Sequence, residues 1–453
     1  MCCGLVLSGW AFICSSSADI QYAGVNLSGA EFGQGNLPGT FGSDYTWPTS
    51  AEITYYRSKG MNFIRLPFRW ERLQHTNSAV LDSTELGRMN TFVTNATSQG
   101  FYVLLDPHNF MRYYPNPRGS FQTTTNGLVG TTSPIYSTSF ADFSNFWYQV
   151  AAIYKTNDHV FFGLNNEPAN MQETQLVTAL NLAIASIRAA GATNLIFVPG
   201  NRYTGAWTWS QADGNGAANS VAMLGIVDPG SNLLFEVHQY LDQDGSGTHT
   251  NIGYTYSTNM DGNFTNIFVP DPDIGLERLT NFTAWAGANH VKGFLGEFAV
   301  ADSMMGSAAW QIGGEALTNM LGYIQTHSDV WLGWAWWGGG PWWGNYMFAI
   351  DPNDIGLPAQ SDQPVMTVAK QFFPLPVLDL QLVNNSHFQY LGPQGFVYQP
   401  QVSADLVNWV NSGPAITNVP PPGSSGTNGP FTVTMTVGTG SQGFYRVRVS
   451  HAP

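Results

Sequence analysis

Two glutamates each close a short apolar run: Glu167 in Asn165-Asn166-Glu167-Pro168 and Glu297 in Gly296-Glu297-Phe298. Other apolar runs end in the same way. Phe63-Ile64-Arg65-Leu66-Pro67 supplies Arg65, and Asp106-Pro107-His108-Asn109 supplies His108. Glu236-Val237-His238-Gln239-Tyr240 supplies His238 and Tyr240, and Trp336-Trp337 an aromatic pair. A carboxyl that holds its proton can assist a leaving oxygen, and an ionised one can attack the same centre or activate water. Two such groups flanking one bond are what glycoside hydrolysis needs. Arg65 favours an ionised neighbour, which suits a nucleophile. Asn166 can hydrogen-bond a sugar 2-hydroxyl, a contact that strengthens in the transition state. Trp337, rather than Trp336, is read as the flat face under a pyranose ring. Taken singly, a strand-end glutamate often caps a helix or pairs an arginine; taken together, these groups call for one pocket.

Something must bring them together. Eight apolar runs read as strands, at residues 22–26, 63–66, 102–106, 160–164, 195–199, 233–238, 293–298 and 330–337. Helical patterns fall between most of them, most clearly at 51–59, 83–99, 140–154, 173–190 and 307–326. Gly60, Gly100 and Gly191 each follow a helix, where a left-handed cap can end it. The Gly-rich stretch 210–230 hides any helix between the fifth and sixth strands. Continuous apolar strands alternating with helices indicate a parallel sheet covered by helices. Eight repeats over about 350 residues predict an α/β fold, a (β/α)₈ TIM barrel, whose functional groups sit on the loops after the strands. Tyr113, Trp207, Trp209, Trp342 and Trp343 fall in such loops and are candidate stacking platforms for neighbouring sugars.

Composition agrees with this chemistry and excludes others. The chain of 453 residues has 16 Lys and Arg against 30 Asp and Glu, a net charge of −14, with 15 Trp, 19 Tyr and 28 Phe. Nucleic acid and anionic membranes are bound by clustered basic residues, so neither is an expected partner. No Gly-x-Gly-x-x-Gly in the right setting and no P-loop is present, so no dinucleotide or phosphate cofactor is expected. A metal-dependent barrel hydrolase is disfavoured by the lack of a His-x-His pair on the first strand, and no metal is expected. A non-catalytic sugar-binding barrel is disfavoured because both carboxylates are kept.

With Gly24-Val25-Asn26-Leu27-Ser28-Gly29-Ala30-Glu31-Phe32-Gly33, Asp106-Pro107-His108-Asn109-Phe110 and His238-Gln239-Tyr240-Leu241-Asp242 added, the set resembles the glycoside hydrolase family 5 cellulases. The resemblance covers residues 21–373. Residues 238–249 and 340–344 resemble its endoglucanase subfamily of fungi and bacteria. It implies Glu167 as acid/base and Glu297 as nucleophile, with retention of anomeric configuration. It implies that Arg65 and Tyr240 orient Glu297, that His108 and Asn166 bind the sugar, and that His238 tunes Glu167. Phe110 stands where the family often has Tyr, so a polar contact to substrate is expected to be lost. The implied substrate is a β-1,4-glucan; mannan, xyloglucan, lichenan and β-1,3-glucan stay open, as does transglycosylation.

Residues 1–18 read as a signal-peptide-like segment, with small residues at Ser16 and Ala18, although no basic residue precedes the apolar run. All three cysteines, Cys2, Cys3 and Cys14, fall inside it, so residues 19–453 can form no disulfide. The barrel is expected over 19–375. Beyond it, β-rich runs at 388–391, 396–402, 431–437 and 444–449 predict a small all-β sandwich over 376–453. It resembles modules of secreted bacterial proteins, with Trp409 and Tyr445 read as its core. Secretion, from a bacterial source, is the expectation.

Overall fold

The computed structural model describes residues 20–114, 126–133, 136–260, 263–357 and 360–375. Beyond these it describes 381–384, 387–392, 396–403, 408, 410–417, 431–436 and 444–451. The segment 1–18 and Trp409 lie outside the described residues. The elements of the main body, in order, are β1 (Tyr22–Leu27), α1 (Ser50–Lys59), β2 (Phe63–Phe68), α2 (Trp70–Leu73), α3 (Ser83–Ser98) and β3 (Tyr102–Pro107). There follow α4 (Phe140–Tyr154), β4 (Val160–Gly163), α5 (Glu173–Ala189), β5 (Ile196–Pro199), α6 (Asn219–Ala222) and β6 (Leu233–His238). The body ends with β7 (Gly253–Met260), β8 (Asn263–Pro270), α7 (Ile274–Ala288), β9 (Gly293–Glu297), α8 (Gly313–Thr326), β10 (Trp331–Gly339) and α9 (Pro364–Ala369).

Eight of these strands close a parallel barrel in the order β1-β10-β9-β6-β5-β4-β3-β2. All eight runs read from the sequence are barrel strands, because a strand buried on both faces is apolar throughout. The helices begin and end on local chemistry. Thr49 and Glu52 form a capping box at α1, as do Ser139 and Asp142 at α4. Gly60, Gly100 and Gly191 all have positive φ, as the caps require.

Side chains inside the barrel change character along its axis. At the N-terminal end Phe63, Phe161, Phe197 and Phe294 pack with Leu104, Leu234 and Ala335, all buried. The Phe63 and Phe294 ring centroids are 4.7 Å apart, and those of Phe197 and Phe294 are 5.0 Å apart. Side chains alternate along a strand. Two residues beyond Phe63, Leu104, Leu234 and Ala335 the same inward positions are therefore Arg65, Asp106, Glu236 and Trp337. An apolar floor thus lies directly beneath a charged layer.

Three features depart from the sequence expectation. Between β5 and β6 the helix layer is reduced to the single turn α6. After β6 the chain makes an antiparallel hairpin, β7–β8, paired from Gly253↔Pro270 to Met260↔Asn263, before α7. Neither the hairpin nor α7 was among the elements read from the sequence. The turn between β6 and the hairpin is closed by buried Asp242, whose carboxylate accepts the backbone N–H groups of Gly247, Thr248 and His249 at 3.0–3.2 Å.

The C-terminal region has the expected all-β character. β11 (Gln381–Asn384), β12 (His387–Gly392), β13 (Phe396–Ser403), β14 (Val410–Asn411), β15 (Ile416–Thr417), β16 (Phe431–Thr436) and β17 (Phe444–His451) form two antiparallel sheets. The four runs read from the sequence are β12, β13, β16 and β17. Tyr445 lies on β17, opposite Val402.

Candidate active site

Arg65 is the hub of the charged layer. It is fully buried, and every face of its guanidinium is used. Nη1 lies 3.0 Å from Glu297 Oε1, 2.9 Å from Asn26 Oδ1 and 3.2 Å from Asp106 Oδ2. Nε donates to Glu236 Oε1 at 2.7 Å and Nη2 to Asn166 Oδ1 at 2.7 Å. A planar fork of fixed donors can hold this many acceptors in register, as a lysine could not.

Glu297 reaches this hub through an irregularity in β9. Val237 of β6 pairs with Leu295, but the next residue, His238, pairs with Glu297. Gly296 is thus an extra residue, and the bulge turns Glu297 inward where strict alternation would have turned it outward. A side chain at 296 would not fit, since its Cβ would fall 2.1 Å from Glu236 Oε1. Both Glu297 oxygens accept hydrogen bonds, one from Arg65 and the other from the Tyr240 hydroxyl at 2.8 Å. Burial pushes the Glu297 carboxyl up to about 7, against the lowering pull of His238, Arg65 and Tyr240 and with the like charge of Glu167 adding to the rise.

Glu167 stands just past β4 with φ of 42°, a left-handed conformation uncommon for a side chain of this size. The backbone around it is pinned. Asn166 N–H donates to Pro107 O and Phe110 N–H to Asn166 O, both at 3.0 Å, while Tyr203 N–H donates to Pro168 O at 3.0 Å. The carboxylate points toward the opening and takes one bond, from His238 Nδ1 at 2.8 Å. His238 Nε2 faces Glu236 Oε1 at 3.4 Å. Burial alone would lower His238, but Glu297, Glu167 and Glu236 surround it and raise it to about 10, so it stands as an imidazolium. Burial also works against ionised Glu236, yet Arg65 and His238 outweigh it and hold that carboxyl below its ordinary value.

His108 behaves in the opposite sense. Burial, with Arg69 and Arg65 nearby, pushes it well below its ordinary value, so the ring is neutral. Its Nδ1 lies 3.0 Å from Asp106 Oδ2, and its Nε2 lies 3.2 Å from Asn166 Nδ2. The bonding assigns a proton on Nδ1 and an acceptor at Nε2. Its ring stacks on Trp337, with centroids 5.4 Å apart and planes 15° apart. Trp337 is part-exposed, and its Nε1 donates to the Tyr346 hydroxyl at 3.2 Å. Trp336 is fully buried with Nε1 on Phe348 O, so of the two only Trp337 has an exposed face.

A carboxylate oxygen of Glu167, one of Glu297 and a ring nitrogen of His238 all lie within 4.8 Å of one another. These three could hold a divalent ion, but a histidine ligand must be neutral, and both nitrogens of His238 face carboxylates as donors. The carboxyl pair is better suited to work across one bond.

The outer aromatics divide. Trp207 and Trp342 are 40% and 51% exposed, and Arg278 stacks on the Trp207 ring at 4.4 Å. Trp343 is half-buried, stacked on Tyr346 at 4.2 Å and edge-on to Phe32. Tyr113 and Trp209 are not platforms. Tyr113 is buried with its hydroxyl on Gln74 O and its ring against Trp70. Trp209 is buried among Phe235, Phe282 and Trp285. Both fold beneath the loop that carries them, a direction that loop position does not reveal. Phe110 is only 5% exposed and meets the edge of His108, so it backs the site rather than lining it. Asn26, Asp106, Glu236 and Tyr346 were given no role from sequence, although the first three occupy the same inward strand-end positions as Arg65.

The chain is similar to known proteins over this same region. Residues 20–340 match the family model of cellulase (glycosyl hydrolase family 5). Endo-beta-1,4-glucanase A of Emericella nidulans is 38% identical over 351 residues, covering 77% of this chain and 92% of that protein. An endo-beta-1,4-glucanase of Xanthomonas axonopodis pv. citri superimposes with a TM-score of 0.66 at 36% identity, covering 78% and 98% of the two chains. XacCel5A, solved in complex with cellopentaose, gives 0.65 at 37% identity, covering 78% and 99%. Relatives come from fungi and bacteria alike, so kinship does not single out a bacterial source. With the barrel, the paired glutamates and these likenesses in hand, this chain belongs to the glycosyl hydrolase family 5 cellulases.

Proposed function

We propose that the chain is a retaining endo-β-1,4-glucanase with Glu167 as acid/base and Glu297 as nucleophile. The observation that carries this is the approach of their carboxylate oxygens to within 4.8 Å. Retaining enzymes hold their carboxyls about 5–5.5 Å apart, whereas inverting ones leave room for a water at about 6.5–9.5 Å. Glu167 gives its proton to the glycosidic oxygen as a Glu297 oxygen bonds to the anomeric carbon and the carbon–oxygen bond to the leaving sugar breaks. In the second step Glu167 takes a proton from water, the water oxygen bonds to the same carbon, and the bond to Glu297 breaks.

Each neighbour has a part. Arg65 and Tyr240 fix both oxygens of Glu297, so the attack needs no further ordering of the nucleophile. The imidazolium of His238 bridges the two glutamates, with Nδ1 2.8 Å from Glu167 Oε1 and 3.6 Å from Glu297 Oε2. Asn166, held by Arg65 and His108, presents its amide to the sugar 2-hydroxyl, and Trp337 lies under the ring. Burial lifts the Glu297 carboxyl to about 7. Arg65 and Tyr240 bond both oxygens of Glu297 and so favour its ionised, nucleophilic form.

A β-1,4-glucan as main substrate is supported by the named activities of the relatives and by cellopentaose in XacCel5A. Among the described residues no helix is long and apolar enough to cross a membrane; with the export-type residues 1–18 and a polymeric substrate, we place the enzyme outside the cell. Residues 376–453 are read as an accessory module of that secreted protein. The test is proton NMR of the first products from cellopentaose: the β-anomer is expected, and an α-anomer would sink the mechanism.

A further inference from the structure

The β7–β8 hairpin is a two-stranded sheet with no third strand among the described residues. Such a hairpin is marginal by itself and gains stability by covering something or being covered. Tyr254 and Tyr256 stand two residues apart on β7, so their side chains leave the same face, about 6.8 Å apart along the strand. Their partners on β8 are Val269 and Ile267. Tyr254 is 41% exposed, Tyr256 46% and Ile267 37%. On the opposite face Thr255 Oγ1 donates to Gln243 Oε1 at 2.9 Å, beside its cross-strand partner Phe268.

Charge decides what could lie on the Tyr254–Tyr256 face. From Gly253 to Pro270 Asp261 is the only charged residue; the rest are aromatic, aliphatic, hydroxyl or amide side chains and backbone turns. An ionic partner would find no complement there. A neutral polyol with apolar ring faces finds both rings to stack on and hydroxyls to meet.

The hairpin is also continuous with the cleft. Its root is held by Gly253 N–H on Leu241 O at 3.1 Å, one residue from the tyrosine that binds the nucleophile. Arg278 donates to Tyr240 O at 2.8 Å and to Gln243 O at 3.2 Å while stacking on Trp207. One arginine thus links the loop after β6, the exposed Trp207 and the foot of the hairpin.

We propose that the hairpin is a second holding surface for the β-glucan chain, beyond the cleft, with Tyr254 and Tyr256 as its sugar platform. The proposal rests on the glucanase reading above. It predicts that long chains gain from the hairpin and short ones do not.

The test is the double variant Tyr254→Ala/Tyr256→Ala in the full chain. Both side chains are exposed, so an unchanged melting temperature is expected. With p-nitrophenyl β-cellobioside, kcat/KM stays within about twofold of wild type; with soluble barley β-glucan it falls about fivefold or more, mainly through KM. Equal polymer kinetics in variant and wild type would overturn the proposal. So would an equal fall on both substrates, which marks a structural role, or a wild-type dimer that the substitutions dissociate, which shows a second copy on this face. A wild type inactive on both substrates overturns the glucanase reading and takes this proposal with it, whereas activity without chain-length dependence overturns this proposal alone.

Discussion

Replacing Tyr240 with Phe removes one hydrogen bond and little else, since the ring stays packed near Phe348. The lost bond runs from the hydroxyl to Glu297 Oε2 at 2.8 Å in a buried site. A hydrogen bond to a charged group contributes about 1.5–3 kcal/mol, and one pKa unit corresponds to about 1.4 kcal/mol. Losing it therefore raises the Glu297 carboxyl by about one to two units. The lower end is expected, because His238 Nδ1, 3.6 Å from the same oxygen, can close in. The nucleophile must be ionised, so activity is lost as pH falls through the value of the Glu297 carboxyl. Burial already lifts Glu297 to about 7. The acid limb of kcat/KM, which reports the free enzyme, is thus expected near neutrality in the wild type and about one unit higher in the variant. At a pH below both limbs the variant is slower by about tenfold. The assay is kcat/KM for p-nitrophenyl β-cellobioside across pH 4–9 (about half-unit steps, with the melting temperature followed in parallel). A limb that stays put, or moves to lower pH, would refute the idea that Tyr240 acts by stabilising ionised Glu297.

Other outcomes follow from the same geometry. Glu297→Gln and Glu167→Gln should each cut hydrolysis of soluble β-glucan by at least about 10³-fold without loss of folded protein by circular dichroism; near-normal rates in either would cancel its assigned role. Gly296→Ala forces a methyl to within 2.1 Å of Glu236 Oε1, and should lower stability by about 1–3 kcal/mol in denaturant titration and reduce kcat. An alanine variant as stable and active as wild type would contradict the bulge argument. Trp207→Ala should leave the melting temperature alone and raise KM. Trp209→Ala should cost about 3–5 kcal/mol of stability, as for other buried aromatics; the reverse pattern would restore Trp209 as a platform.

The sequence was most informative where burial leaves one pattern open. Strands covered on both faces must be apolar, so runs such as Phe161-Phe162 and Phe294-Leu295 mark the barrel without help from the structure. The ends of those strands then named Arg65, Glu167, His238 and Glu297. What could not be read depends on direction within a loop or on local irregularity. Tyr113 and Trp209 share composition and position with true surface aromatics, and only packing decides which way each ring turns. The inward turn of Glu297 depends on an extra residue at Gly296, which no period in the sequence announces. The hairpin escaped because both its faces meet solvent: Tyr254-Thr255-Tyr256-Ser257 alternates aromatic with hydroxyl, yet shows no buried side. Glu236 was visible at a strand end, but its service to Arg65 and His238 needs the distances.

The floor of phenylalanines beneath Arg65 has a consequence for anyone who would alter this enzyme. Buried apolar side chains close the barrel beneath the charged layer, so the charges that act on Glu297 lie within that layer and in the loops above it. Side chains one storey down exchange no protons and accept no hydrogen bonds. Conservative repacking of Phe63, Phe197 and Phe294 can therefore move heat tolerance while the pH profile stays fixed. Thermal endurance and catalytic tuning become separate engineering handles, stacked one above the other along a single axis.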